Sequence, residues 1–227
     1  MYTAILLSGG VGKRMHNVVP KQYMLLAGKP VIMHTLERMD RIEEICEVII
    51  VCADEYISAI DLMLKQYGIQ KKVRYAKSGE SRQASVYSGL ELVETRDVII
   101  HEAARPFVKA KDYEKLIAET SRNAMFGLSI PFTVVKGHEN LEDILDRSEL
   151  VNVQLPQKYE TALLKDSHEK AKYDGRLFTE DASLVYFYHP ETNIKICEGQ
   201  EYNIKITTRQ DMLMGEMIYD DAFRGRK

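Results

Sequence analysis

The chain lacks the usual marks of an oxidising compartment, a membrane or a nucleic acid partner. It has three cysteines, Cys46, Cys52 and Cys197. None has CxxC or Cys/His spacing, and all sit in apolar, strand-like stretches. They are read as small buried hydrophobes in a reducing compartment. No apolar run reaches the ~18–20 residues that a membrane span needs. The N-terminal run MYTAILLSGG is short for a signal peptide and has no basic leader, so a soluble, cytoplasmic protein without a membrane partner is expected. The formal net charge of −3 gives no broad positive field, so bulk electrostatics supply no affinity for nucleic acid. A local basic cluster for a phosphate-bearing ligand is not excluded by that balance.

The chain does have enough length and apolar content for one well-buried core. Its 227 residues suit a single domain, 1–227. Short, fully apolar runs alternate with helical spacing. Ala4–Leu7, Val48–Cys52, Val73–Ala76 and Val98–Ile100 read as strands, and Pro30–Met39, Tyr56–Tyr67 and Ser81–Val93 as helices. Continuously apolar strands alternating with helices indicate an α/β protein whose parallel sheet is covered on both faces. After about Ile130 the pattern changes. Residues 131–157 carry charges and a Val pair but no clean helix, and read as an extended arm leaving the sheet. Thr161–Lys172 is helical again, Thr192–Cys197 and Tyr202–Thr207 alternate as strands, and Gln210–Phe223 is a final helix.

The first strand runs directly into Ser8-Gly9-Gly10-Val11-Gly12-Lys13-Arg14. Glycines let backbone N–H groups turn towards anionic oxygens, and the following basic residues add charge, so this is a phosphate-binding loop. It is neither GxxxxGK followed by Ser or Thr nor GxGxxG. By glycine count it is a weak signal, sharpened by Lys21 in Pro20-Lys21-Gln22-Tyr23, which can reach the same phosphates. The start of the helix at Ser81 offers free N–H groups and a positive dipole end, with Ser81 as a candidate cap. Glu102 follows the strand ending at His101, where ligands bind in open α/β sheets. His101 itself reads as a packed core histidine rather than a general base.

Seven segments occur in one order: GGVGKRM, PKQYMLLAGKPVIMHTL, GESRQASVYSGL, HEAARPF, LPQKYE, TEDAS and YNIKITT. In this the chain resembles the 2-C-methyl-D-erythritol 4-phosphate cytidylyltransferases and the similar ribitol-5-phosphate enzymes, from Thr3 to about Met212. The resemblance implies a Rossmann-like, mostly parallel twisted sheet of the nucleotide-diphospho-sugar transferase type. It implies transfer of CMP from CTP to a polyol phosphate, with Mg²⁺ and release of pyrophosphate. It assigns Arg14, Lys21 and Lys205 to catalysis at the CTP phosphates. Leu7, Ser8, Gly9, Gly10, Gly12, Gly79, Glu80, Arg82, Ser85 and Glu102 fall to the nucleotide, with Ser85 at the base. Glu102 is also the candidate metal contact, one methylene longer than the Asp of similar enzymes. Arg105, Arg147 and Thr179 fall to the acceptor. The arm of relatives reaches into a neighbouring subunit, which implies a homodimer.

The chain departs from the pattern around the acceptor. Val134 and Val135 stand where the erythritol-phosphate enzymes carry an acidic residue and a threonine, and Leu155 replaces the threonine of Thr-Pro-Gln. Lost hydrogen-bonding groups change discrimination between polyols. The expectation is therefore a ribitol 5-phosphate-like acceptor from surface-glycan or teichoic-acid synthesis. The alternative is 2-C-methyl-D-erythritol 4-phosphate of isoprenoid biosynthesis.

Overall fold

The computed structural model describes residues 1–10 and 19–224. In chain order the elements are β1 (Tyr2–Leu7), β2 (Leu25–Leu26), β3 (Lys29–Pro30), α1 (Val31–Asp40), β4 (Ile45–Cys52), α2 (Ile57–Gln66), β5 (Lys72–Lys77), α3 (Arg82–Glu91), β6 (Asp97–Glu102), α4 (Ala110–Ala118), β7 (Asn123–Ser129), β8 (Val134–Gly137), β9 (Leu141–Leu145), β10 (Val151–Glu160), α5 (Thr161–Tyr173), α6 (Asp181–Tyr188), β11 (Ile194–Glu198) and α7 (Arg209–Tyr219).

Seven strands form one sheet in the order β11-β7-β10-β6-β1-β4-β5. The pairs β1·β4, β1·β6, β4·β5 and β7·β11 are parallel. Strand β10 runs antiparallel to both of its neighbours, β6 and β7. The mostly parallel α/β sheet expected from the sequence is thus observed, with one reversed strand.

Two-residue periodicity explains why the apolar strands need helices on both sides. Ala4, Leu6, Val48, Ile50 and Ile99 pack with Ile32, Met33 and Leu36 of α1, Ile60 of α2 and Tyr113 of α4. The alternate residues Ile5, Ile49, Val51, Val98 and Ile100 pack with Val86 and Leu90 of α3, Leu164 of α5, and Leu184 and Val185 of α6. Helix α7 lies elsewhere. With Leu26, Val31, Phe107 and Ile206 it builds a smaller cluster.

Two expectations are corrected. The arm ends earlier than residue 157, because Val151–Gln154 pair with β7 and Gln157 pairs with both β7 and β6. Its irregular look came from a polar, proline-interrupted strand: pairing breaks between Gln154 and Gln157, and Pro156 has no N–H to donate. The excursion itself is the β8–β9 hairpin, followed by a 3-10 turn at Arg147–Glu149. Tyr202–Thr207 is not a strand of the sheet. It is an extended segment held by single bonds, such as Ile206 N to Ala104 O at 2.8 Å. Finally, α4, β7 and α6 went unread in the sequence. Among the described residues, no helix is long and apolar enough to cross a membrane.

Candidate functional site

From β1 the chain order runs outward through β4 to β5, then returns to β6 on the other side of β1. The carboxyl edge between β1 and β6 is therefore a topological switch point, where a crevice opens for a ligand. Leu7 and Glu102 are register partners at this edge, and Ala103 N donates to Leu7 O at 3.0 Å.

The glycine loop and the loop after β5 meet over the end of β4. Ser8 N and Ser78 N donate to Val51 O and Cys52 O at 2.8 and 3.0 Å. Gly9 lies so close to Ser78 that a Cβ on it would fall 2.4 Å from the Ser78 Cβ, and one on Gly79 would fall 2.5 Å from the Ala84 Cβ. Glycine is needed at both places for this close approach. The Ser8 carbonyl accepts from Gln22 Nε2 at 2.6 Å, and the Ser8 hydroxyl lies 3.2 Å from that of Tyr23. Both partners come from the 3-10 turn Lys21–Tyr23. That turn therefore anchors the glycine loop as well as supplying Lys21.

Helix α3 points its N-terminus into the same crevice. Ser81 caps it, accepting from Ala84 N at 3.0 Å, as expected. Ser85, assigned to the base, accepts from Gly79 N at 3.1 Å and donates to Ser81 O at 2.9 Å. In this state its hydroxyl shapes the Gly79 turn.

These elements enclose one cavity of about 350 Å³. Leu7, Ser8, Gly9, Gly10, Lys21, Gly79, Glu80, Arg82, Ser85, Glu102 and Lys205 all line it, joined by Gln22, Ser81 and Ala104. Gly12 and Arg14 lie outside the described residues. Lys205 reaches the cavity because its segment is tied down on both sides, by Ile206 N donating to Ala104 O at 2.8 Å after it and by Asn203 before it. Arg105 Nη1 donates to Asn203 O at 3.0 Å, and Asn203 Nδ2 donates to Leu155 O at 2.7 Å.

The electrostatic centre is Glu102. Its carboxylate lies 2.8 Å from Lys205 Nζ, 3.4 Å from Arg82 Nε and 3.6 Å from Arg105 Nε. Burial raises its pKa, but the cations outweigh that, Lys205 most, then Arg105 and Arg82, and hold it down at about 2. Arg82 bridges onward to Asp181 Oδ2 at 2.7 Å. Burial works against the charged guanidinium, yet Asp181 and then Glu102 raise its pKa.

Glu102, also the candidate metal contact, is ion-paired in this structure to side chains of the chain itself. Three basic side chains surround its carboxylate, and among the described residues no group of three or more Asp, Glu, His or Cys is placed to hold an ion.

The acceptor residues are not gathered here. Arg105 is a buttress, bonded to Asn203 O and Glu102 rather than lining the cavity. Arg147 lies on the arm and donates to Pro131 O at 2.5 Å. Thr179 is exposed, just before Glu180, the residue that caps α6. Leu155 sits in the core against Ile100 and Tyr159, so its lack of a hydroxyl does not alter the cavity. Val134 and Val135 belong to β8 of the arm. Sequence reasoning missed Gln22 and Asp181, although PKQY and TEDAS both signalled them. His101 is a packed histidine as expected, fully buried, with Nε2 3.1 Å from Arg105 O.

A glycine loop, a helix N-terminus and two lysines at the carboxyl edge of a parallel sheet define a nucleotide-binding α/β enzyme of the nucleotidyltransferase class. The family model "IspD: 2-C-methyl-D-erythritol 4-phosphate cytidylyltransferase" matches residues 2–221. Among relatives of that name, the protein from Bacillus cytotoxicus is 38% identical over 221 residues, covering 95% of this chain and 96% of its own length. The chloroplastic protein of Oryza sativa is 34% identical over 226 residues, covering 96% of this chain and 74% of its own. Among solved structures, the 4-diphosphocytidyl-2C-methyl-D-erythritol synthase of Anaerococcus prevotii superposes with a TM-score of 0.84 at 25% identity, covering 95% of this chain and 94% of that one. The chain belongs to the 2-C-methyl-D-erythritol 4-phosphate cytidylyltransferase family and is a nucleotidyltransferase. These relatives favour the isoprenoid alternative, and none of them supports the ribitol-phosphate or teichoic-acid reading.

Proposed function

We propose that the chain transfers CMP from CTP to 2-C-methyl-D-erythritol 4-phosphate, giving a cytidine diphosphate polyol and pyrophosphate. The observation that carries this reading is the convergence of Lys21, Lys205, the glycine loop and the N-terminus of α3 on one cavity, in a chain matched along nearly its whole length by this family. An acceptor phosphate oxygen attacks the α-phosphorus of CTP, the bond to the β-phosphate oxygen breaks, and pyrophosphate leaves. The acceptor phosphate is already a nucleophile, so the protein's task is positioning and charge stabilisation. Lys21 and Lys205, with Arg14, neutralise charge building on the α-phosphoryl oxygens. Gly79–Ser85 receives the cytosine and ribose.

Mg²⁺ brought in with CTP would supply further charge neutralisation, and Glu102, held here by cations of the chain itself, would be the side chain to contact it. Arg147 and Thr179 bind the acceptor. Arg147 sits on an arm whose Phe132, Leu141 and Ile144 are 77%, 65% and 70% exposed in the single chain. Apolar exposure of this kind favours a homodimer, in which each arm completes the acceptor pocket of its partner.

Pyrophosphate release across four nucleoside triphosphates and several polyol phosphates tests the proposal. Fastest turnover is expected with CTP and the methylerythritol phosphate; absence of release with that pair would refute it. Arg14→Ala and Lys21→Ala should each lower turnover by roughly 10²-fold or more, measured by the same assay, and a near-normal rate in either removes its assigned role.

A further inference from the structure

His168 lies on α5, outside the cavity lining, and is only 2% exposed. Its ring stacks on Tyr87 of α3, with centroids 6.0 Å apart. Its Nε2 faces Asp181 Oδ1 at 3.4 Å, within ion-pair range but without hydrogen-bond geometry, and this buried nitrogen has no other partner among the described residues. Asp181, the first residue of α6, is also 2% exposed, and its other oxygen, Oδ2, takes Arg82 at 2.7 Å.

A carboxylate this deeply buried is costly unless both oxygens are engaged. Arg82 engages one and His168 is the group facing the other. Arg82 in turn is stretched between two elements, with Nε towards Glu102 of β6 and one terminal nitrogen on Asp181 of α6. Glu180 stands 3.9 Å from that same nitrogen. An arginine held only at Glu102 would keep several rotamers, whereas a second anchor on α6 reduces them to one. A phenylalanine at 168 could stack on Tyr87 but would offer Asp181 no donor.

We infer that His168 is a positioning residue for nucleotide binding. By engaging Asp181 Oδ1 it orients the carboxylate that aims Arg82 into the cavity, so a histidine of α5 acts on CTP through two intermediaries. The inference rests on the reading of this cavity as the CTP site.

The test is calorimetric titration of the full-length protein with CTP and Mg²⁺, alongside steady-state kinetics. Loss of the polar group facing a buried carboxylate corresponds to about a tenfold change. His168→Phe should therefore raise the Kd and KM for CTP about tenfold, with kcat and the acceptor KM within about twofold. His168→Gln, whose amide N–H can reach the same oxygen, should restore CTP affinity. In an Arg82→Gln background His168→Phe should add nothing, because coupled residues are not additive. Asp181→Asn provides a second route and should weaken CTP binding in the same direction. Unchanged CTP affinity in His168→Phe or Asp181→Asn, or a full additional loss on top of Arg82→Gln, overturns the inference. If the wild-type protein bound no CTP, the functional reading would fall and this one with it. Normal wild-type binding with unaffected variants would sink this inference alone.

Discussion

His34 and His101 take no part in the cavity lining, yet they shape the protein's response to acid. Burial lowers the pKa of His34 to about 4 and that of His101 to about 3. In the unfolded chain both titrate near ~6.5. Between those values the unfolded state binds protons that the folded state refuses, so stability falls as pH drops below about 6.5, by up to about 1.4 kcal/mol per pH unit for each histidine. Glu102, depressed to about 2, adds a second phase. Its contribution is complete above the unfolded carboxylate value near ~4.3 and disappears as pH falls towards its folded value. Urea melts at a series of pH values should therefore show loss of stability beginning near pH ~6.5, before carboxylates titrate. His101→Phe should flatten that first limb; an unchanged limb would remove His101 from the account. The glycines make a complementary case. Gly79→Ala places a methyl 2.5 Å from the Ala84 Cβ, so the turn must move. A shift of about 1 Å in a positioning loop can cost roughly 10²-fold in rate. Pyrophosphate release should fall accordingly, whereas Gly10→Ala has no described residue within 4 Å of its added Cβ.

Among the strands, the unbroken apolar runs were the most legible. Strands β1, β4 and β6 are apolar on both faces and were readable to within a few residues, because nothing else explains runs such as Val48–Cys52. Strand β10 was not readable. Its Gln154, Gln157 and Lys158 are buried polar groups, and two of them are satisfied by distant partners: Lys158 Nζ reaches Glu119 O at 2.6 Å, and Gln154 Nε2 reaches Gln200 O at 3.0 Å. No local pattern announces such contacts. Tyr202–Thr207 failed for the opposite reason, since its alternation serves the cluster under α7 rather than a sheet face. Of the cavity lining, Ser8–Gly10 and Glu102 were legible because they stand at strand ends, whereas Lys205 was reached only through the family resemblance. The acceptor side was not legible, because Arg147 depends on where the arm goes. On that reading, Arg147→Ala should raise the acceptor KM at least tenfold while leaving the CTP KM within about twofold, as expected for losing a charged clamp. An equal rise in both would move Arg147 out of the acceptor pocket.

At the scale of the whole molecule, two apolar layers on one sheet leave the arm as an appendage to a core that is complete without it. The cores draw on β1, β4, β6 and the helices against them, and no residue of the β8–β9 hairpin belongs to either. Removing residues 131–149 and closing the gap with a short turn should therefore leave the chain folded with a cooperative melt. If the arm makes the dimer, sedimentation should then report a monomer, and a truncated chain that stayed dimeric would contradict that assignment.

The chain leaves β7 at Ser129 and re-enters β10 at Val151, and these two residues are paired across the ladder. Entry and exit are thus adjacent points on one edge of a stable scaffold. The segment between them behaves as an exchangeable cassette, whose replacement need not disturb a single hydrogen bond of the nucleotide cavity. A lineage could in this way change what it accepts while keeping what it donates. On the proposed role of Arg147, grafting the hairpin of a relative between Ser129 and Val151 should shift the acceptor KM while leaving the CTP KM unchanged.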